Sequence, residues 1–118
     1  MNSEQSTATK GNILIVDDAL DSLNLLYATL AQRGYEVRKA INGSMALMGV
    51  RAAPPDLILL DIRMPDMDGY EVCQQLKASQ ESRDIPIIFL TALDEVLDKV
   101  RAFSLGAADY ITKPFQTE

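Results

Sequence analysis

The chain has 118 residues, of which 47% are hydrophobic and 24% charged, and its formal net charge is −6. These values are typical of one folded domain, and the negative charge argues against direct binding to nucleic acid. No apolar run approaches the roughly 20 residues needed to span a bilayer. The single Cys73 excludes an internal disulfide and is expected in the core, and the lack of histidine excludes His-ligated zinc. We expect a cytoplasmic domain over 11–118, preceded by a disordered polar segment over 1–10.

Strand and helix patterns alternate along the chain. Apolar runs predict buried strands at 12–16, 57–61 and 85–90, the alternating segment 35–40 predicts a strand near a sheet edge, and 109–111 predicts a short fifth strand. Apolar residues at helical spacing predict helices at 20–30, from Asn42-Gly43-Ser44 to Pro54-Pro55, at 70–78 and at 93–103, with Val100 and Phe103 on the apolar face of the last. This alternation predicts βαβ units, and hence a doubly wound α/β domain with a parallel sheet.

Polar residues follow the ends of the predicted strands. Asp17 and Asp18 follow the first, Asp61 ends the third, Thr91 ends the fourth and Lys113 follows the fifth. In a parallel sheet these ends meet at one edge, so the side chains converge. Clustered carboxylates persist at neutral pH only beside cations, which Lys113 and a hard divalent ion such as Mg²⁺ would supply. The cluster therefore predicts an aspartate that attacks phosphorus and forms an acyl phosphate.

Five separated motifs, in the right order, closely resemble the receiver domains of two-component response regulators. They are Val16-Asp17-Asp18, Leu60-Asp61-Ile62-Arg63-Met64-Pro65, Asp68-Gly69, Leu90-Thr91-Ala92 and the segment 106–115. The resemblance covers the chain from about Asn12 to Phe115. It implies a flavodoxin-like sheet with strand order 2-1-3-4-5 and a signalling switch rather than an enzyme that turns over free substrates.

The resemblance also implies a role for each matching residue. Asp61 would be the phosphorylated aspartate, and Mg²⁺ would be held by Asp18, Asp61 and the backbone carbonyl of Arg63, with Asp17 acting through water. Thr91, Ala92 and Lys113 would bind the phosphoryl group, Thr91 and Tyr110 would form the switch pair, and Lys113-Pro114 would be a cis peptide. The implied donor is a histidine kinase or histidine phosphotransfer protein, and the implied output is an effector domain or partner protein.

Ordinary structural roles are the alternatives for single residues. Asp17-Asp18 could cap a helix, Thr91 could cap the helix that follows it, and Lys113 could be a solvated lysine. Tyr110 could be half-buried packing, and the side chain of Arg63 is either solvated or a cover over the phosphoryl group. Asp66 and Asp68 beside Gly69 suggest a turn rather than a calcium loop, because the acid at the far end of such a loop is missing.

Two other functions are alternatives to the switch. A metal-dependent phosphatase could use the same acidic crevice, but no second catalytic base is visible, and Asp17 and Asp18 are adjacent rather than alternate. A flavodoxin-type cofactor binder would need a Ser/Thr/Gly loop after the first strand, where carboxylates would repel phosphate.

The chain stops at Glu118, before the fifth helix that receiver domains normally have. We expect its absence to bare apolar surface on the face shared with the Leu23–Leu30 helix, and to favour self-association or reduced stability.

Overall fold

The computed structural model describes residues 10–92 and 98–113. Five parallel strands form one sheet in the order β2-β1-β3-β4-β5. The strands are β1 Asn12–Val16, β2 Glu36–Ala40, β3 Leu57–Asp61, β4 Ile87–Thr91 and β5 Asp109–Thr112. The helices are α1 Leu20–Gln32, α2 Gly43–Ala52, α3 Gly69–Ala78 and α4 Lys99–Ser104. The predicted doubly wound fold and its strand order are therefore confirmed.

Two apolar clusters cover the two faces of the sheet. The larger contains Leu14, Ile58, Leu60, Ile87 and Phe89 of the sheet, together with buried residues of α2, α3 and α4. The smaller contains the alternate strand residues Ile13, Ile15, Leu59 and Leu90, packed against Leu23 of α1. The central strands β1 and β3 are buried on both faces, which explains why their sequences are continuous apolar runs. Strand β2 lies at an edge, as its alternating sequence predicts.

Local sequence sets where the helices begin and end. Asn42 caps α2, because its side chain accepts a hydrogen bond from the backbone N–H of Met45. Helix α1 ends in a Schellman motif, in which Gly34 N–H donates to Ala31 O and Tyr35 N–H donates to Leu30 O. Gly34 has a φ of +99°, a conformation that favours glycine, which explains why the helix ends at this residue.

Two predictions about elements are wrong in detail. Strand β4 begins at Ile87 rather than at Ile85, because Ile85 N–H donates to Ser82 O in a turn and Pro86 has no N–H to give to the sheet. In α4, Val100 is 82% exposed and Phe103 is 48% exposed, whereas the buried residue is Ala102. The apolar spacing of α4 therefore does not mark its inner face.

Several predictions lie outside the described residues. These include the disordered segment over 1–9, the apolar residues Leu93, Val96 and Leu97, and the cis peptide at Pro114. Ile111 of β5 is 41% exposed, and it points to the same face as Leu90, its partner in β4. The absence of the fifth helix that receiver domains normally have stays a prediction, as does the self-association or reduced stability expected from it. Within residues 10–92 and 98–113, none of the helices combines the length and the hydrophobicity that a membrane span requires.

Candidate phosphoacceptor site

The strand ends lie level along one edge of the sheet. Val16 of β1 is paired with Leu60 of β3, and Asp61 is paired with Leu90 of β4. Thr91, the last residue of β4, is paired with Thr112 of β5. Asp17, Asp61, Thr91 and Lys113 therefore come to the same edge, although β1 and β5 are far apart in sequence.

Charged side chains meet at this edge. Lys113 Nζ lies 3.0 Å from Asp17 Oδ2 and 3.4 Å from Asp61 Oδ1. Asp17, Asp18 and Asp61 each offer a carboxylate oxygen, and these three oxygens all lie within 4.8 Å of one another. Asp17 and Asp61 are buried, whereas Asp18 is exposed. The convergence that the strand pattern predicts is present in the structure.

Burial and charge change the acid strength of these groups. Burial, followed by the negative charge of Asp17, raises the pKa of Asp61 to about 7, although Lys113 acts in the opposite direction. Burial lowers the pKa of Lys113, but its hydrogen bond to Asp17 and the charges of Asp61 and Asp17 outweigh burial and raise that pKa above its usual value. The protein alone therefore leaves Asp61 undercompensated, which favours a further cation at this place.

An open pocket of about 420 Å³ gives solvent access to the cluster. Its lining consists of Asp18, Asp61, Arg63, Met64, Pro65, Ala92 and Lys113. A pocket of about 500 Å³ between α2 and α3 includes Val50, Leu76 and Ser82, but it contains none of the clustered carboxylates. The chemistry therefore points to the smaller pocket, because its lining includes Asp18, Asp61 and Lys113.

The loop from Ile62 to Gly69 returns to the end of β3 and packs against the backbone of Asp61. Gly69 N–H donates to Ile62 O at 2.7 Å, and a Cβ on Gly69 would lie only 2.3 Å from the backbone oxygen of Asp61. No larger residue can therefore be placed there without moving backbone. Asp68 caps α3 through a bond from Glu71 N–H to its Oδ1, and Asp66 accepts from Met67 N–H. Asp66 thus supports the local loop structure, as the turn interpretation predicts, whereas Asp68 serves as the N-cap of α3.

Residues 13–118 match the family described as Response regulator receiver domain. This match covers most of the chain. The chain belongs to the response regulator receiver domain family.

Relatives and solved structures agree with this assignment. The receiver domain is 42% identical over 106 residues to the DNA-binding dual master transcriptional regulator RpaA of Synechocystis, covering 90% of this chain but only 44% of that relative. A putative response regulator from Chloroflexus aurantiacus has a TM-score of 0.85 and 36% identity, covering 91% of this chain and 88% of that one. The Vibrio cholerae chemotaxis protein CheY4 has a TM-score of 0.86 and 30% identity, covering 93% and 91%. The chain thus spans less than half the length of its transcriptional relative.

Thr91 and Tyr110 lie where the receiver-domain resemblance expects a switch pair, but their movement stays a prediction. Thr91 is 3% exposed at the end of β4. Tyr110 is partly buried against the larger apolar cluster, and Lys99 Nζ lies 5.2 Å from the centre of its ring. The backbone N–H of Lys113 donates to Thr91 O at 2.6 Å, which joins the end of β5 to the same edge.

Sequence reasoning missed two features of the receiver domain. The N-cap residue of α1 is Ala19, without a side-chain cap, while Asp17 Oδ1 accepts from Ala19 N–H at 3.0 Å. Asp17 is therefore held by the turn and by Lys113, and the capping alternative for Asp17-Asp18 is wrong. The cap by Asp68 was also missed, although the pattern Asp68-x-x-Glu71 is a known signal for a helix start.

Proposed function

We propose that this receiver domain accepts a phosphoryl group on Asp61 and, as a result, changes conformation to control an output domain or partner. The observation that carries the proposal is the contact of a buried Asp61 with Lys113 beside Asp17 and Asp18. A buried nucleophile with a lysine and further acids around it suits transfer of a doubly charged group, provided that enough positive charge is present.

The donor set fits Mg²⁺. Three carboxylate oxygens within 4.8 Å of one another form an all-oxygen set, and hard oxygen ligands suit this ion. We propose that Asp18, Asp61 and the backbone carbonyl of Arg63 hold it directly and that Asp17 acts through water. A bound Mg²⁺ would supply positive charge that offsets the phosphoryl oxygens.

The attack on phosphorus and the contacts to the phosphoryl oxygens are made by residues of the chain itself. A carboxylate oxygen of Asp61 attacks phosphorus, the P–N bond of a phosphohistidine donor breaks, and the imidazole keeps the electron pair and takes up a proton. Lys113, held by Asp17 at 3.0 Å, is placed to contact a phosphoryl oxygen. Thr91 and the backbone of Ala92 contact other phosphoryl oxygens, and Tyr110 moves inward when the Thr91 hydroxyl turns toward the phosphoryl group. A cis peptide at Lys113-Pro114 would aim the lysine.

The donor and the output lie outside this chain. Without histidine the chain cannot carry the phosphohistidine, so the donor is a histidine kinase or histidine phosphotransfer protein. The chain matches less than half of a transcriptional regulator's length, which favours an output in another domain or protein. A net charge of −6 argues that nucleic acid would be contacted by that output rather than by the receiver domain. The interpretation as a cytoplasmic signalling switch without enzymatic turnover stays part of this proposal.

Incubation with acetyl phosphate and Mg²⁺ tests the proposal. Intact-mass measurement should show one covalent phosphate on the wild-type chain and none on Asp61→Asn. Asp66→Asn is the matched control, because Asp66 is an exposed acid of the loop after β3 and should leave phosphorylation unchanged. A phosphate that persists in Asp61→Asn would disprove the assignment, and multiple turnover of acetyl phosphate without accumulation of a covalent phosphate would favour a phosphatase.

A further inference from the structure

Tyr70 connects the loop behind Asp61 to helix α4. Its side chain is 8% exposed, and its ring packs on Phe89 of β4 with the ring centres 5.4 Å apart. The hydroxyl oxygen accepts a hydrogen bond of 3.2 Å from the backbone N–H of Asp98. The guanidinium carbon of Arg101 lies 4.2 Å from the centre of the ring. One side chain that follows Gly69 directly thus contacts both the sheet and the start of α4.

Helix α4 has few apolar contacts to hold it. Of its six residues only Ala102 is buried, while Val100 is 82% exposed. Polar contacts, namely hydrogen bonds and the cation–π contact between Arg101 and Tyr70, therefore contribute more to holding α4 in place than polar contacts do for α2 or α3. Asp98 caps α4 by accepting from Arg101 N–H at 3.0 Å. Tyr70 contacts both members of this cap, so its position determines how the first turn of the helix is held.

The other side of Tyr70 is tied closely to Asp61. The preceding residue, Gly69, donates its N–H to Ile62 O at 2.7 Å. The close approach of Gly69 to the backbone oxygen of Asp61 leaves no free space between these segments. A shift of the backbone at 61–62 must therefore displace Gly69 and, with it, the side chain that follows.

We propose that Tyr70 is a positioning residue that couples the loop carrying Asp61 to the start of helix α4 through its ring contact with Arg101 and its hydrogen bond with Asp98. The part that involves phosphorylation rests on the proposed function. The contacts of Tyr70 with Asp98 and Arg101 involve no atom of the Thr91–Tyr110 pair. Because coupling is reciprocal, a change in how α4 is held also changes the environment of the phosphorylated loop.

The first experiment measures the attachment of α4 in the unphosphorylated protein. Tyr70→Phe keeps the packing on Phe89 and removes only the hydroxyl, so the fold should persist. Amide NMR should show a changed Asp98 resonance and exchange of the Ala102 and Leu105 amides that is faster by about three- to tenfold, which is the effect of one lost hydrogen bond. Both amides bond within the helix, to Asp98 O and Arg101 O. Tyr27→Phe, on the exposed surface of α1, is the matched control and should change none of these signals.

The second experiment distinguishes coupling between phosphorylation and α4 from a general loosening of α4. Acetyl phosphate and Mg²⁺ are added to wild type, Tyr70→Phe, Tyr27→Phe and Arg101→Gln, and the change in the amide signals of 98–105 is compared between free and phosphorylated forms. A structural role alone would raise exchange equally in both forms. Coupling predicts that the phosphorylation-dependent change shrinks in Tyr70→Phe and Arg101→Gln but not in Tyr27→Phe.

The outcomes distinguish the two proposals. Normal phosphorylation of Tyr70→Phe with an α4 response equal to that of wild type overturns the coupling and leaves the proposed function standing. If wild type gains no phosphate, the proposed function fails and the coupling fails with it. In that case the exchange data on the unphosphorylated protein still show whether Tyr70 holds α4.

Discussion

Lys113 Nζ lies 3.4 Å from Asp61 Oδ1, yet this ion pair does not bring the pKa of Asp61 down to an ordinary value. Burial and the neighbouring charge of Asp17 outweigh it and leave that pKa at about 7. Lys113 is shared, because its closer partner is Asp17 at 3.0 Å. Among the described residues, the ammonium group of Lys113 is thus shared between two of the three clustered carboxylates, and this sharing underlies the first two predictions.

The contribution of Asp61 to the stability of the metal-free protein should fall as pH rises from about 4 to above 7. The pKa of Asp61 is raised from 3.8 to about 7 on folding, so below pH 4 the group is protonated in both states and costs nothing. As pH rises through that window, the unfolded chain ionises first and the folded state loses stability. The full shift corresponds to about 4 kcal/mol, and solvent screening of a group that opens into a pocket reduces the loss to on the order of 2 kcal/mol. Chemical denaturation of wild type and Asp61→Asn at pH 5 and pH 8 checks this, and Asp61→Asn should lose less stability between the two. Mg²⁺ should stabilise wild type more at pH 8 than at pH 5, and equal stabilisation would contradict the prediction.

Lys113→Ala should bind Mg²⁺ more tightly but accept phosphate more slowly. Lys113 Nζ lies 3.0 Å from Asp17 and 3.4 Å from Asp61, so its removal leaves more uncompensated negative charge to attract Mg²⁺. The Mg²⁺ affinity should rise about tenfold, or roughly 1.4 kcal/mol. Phosphorylation slows because the phosphoryl oxygens lose a positive partner. Calorimetric titration with Mg²⁺ gives the affinity, and Lys39→Ala removes an equal charge outside the cluster as a control. An affinity that is unchanged or lower in Lys113→Ala would argue against a cation site among these acids.

Gly69→Ala should destabilise the protein by about 2–3 kcal/mol, the range expected for forced overpacking. The added Cβ would lie 2.3 Å from the backbone oxygen of Asp61 and 2.8 Å from Ile62 Cα, so backbone must move. Gly49→Ala is the matched control, because nothing lies within 4 Å of its Cβ position in α2, and it should stabilise the protein by about 0.5–1 kcal/mol. Denaturant midpoints compare the two. Equal effects of both substitutions would show that the loop tolerates displacement.

Asp68→Ala should cost about 1 kcal/mol of stability, the usual effect of a lost N-cap. Asp68 Oδ1 accepts from Glu71 N–H at 2.9 Å, and no other residue is positioned as the cap of α3. Asp66→Ala should cost less than about 0.5 kcal/mol, since Asp66 is exposed and bonds only the next residue's N–H. Thermal unfolding measures both. A larger loss for Asp66→Ala, or a strong stabilisation of wild type by Ca²⁺ that Asp68→Ala abolishes, would revive the calcium-loop interpretation.

Arg63→Ala should shorten the lifetime of the acyl phosphate. Arg63 is exposed at the rim of the pocket that contains Asp61, where its side chain can cover a phosphoryl group against water. An exposed charge contact contributes at most about 1 kcal/mol, so the decay should be faster by no more than roughly fivefold. The decay is timed after removal of acetyl phosphate, with Arg33→Ala on the surface after α1 as control. An unchanged lifetime would leave Arg63 with only its backbone role.

The sequence determined the fold and the set of acids. Period-two and helical spacing separate the strands from the helices, and two apolar runs that end in Asp17 and Asp61 require a buried parallel sheet with acid at its carboxyl edge. Because every strand of such a sheet ends on the same side, convergence follows from topology without knowledge of any distance. The resemblance of the motifs added the strand order and the family, which the sheet and the family match confirm.

Tertiary structure alone decided how the charges are shared and which residues support them. Periodicity cannot reveal that Lys113 is closer to Asp17 than to Asp61, because that depends on side-chain geometry between β1 and β5. Periodicity also predicts the wrong buried face for α4, because Val100 has the apolar spacing but Ala102 is the buried residue. Which face of a short helix is buried depends on the elements that surround it. From the sequence, Tyr70 is predicted only to be one of the residues of the helix over 70–78. Only the tertiary structure shows that the hydroxyl of Tyr70 accepts from Asp98 N–H and that its ring contacts Arg101.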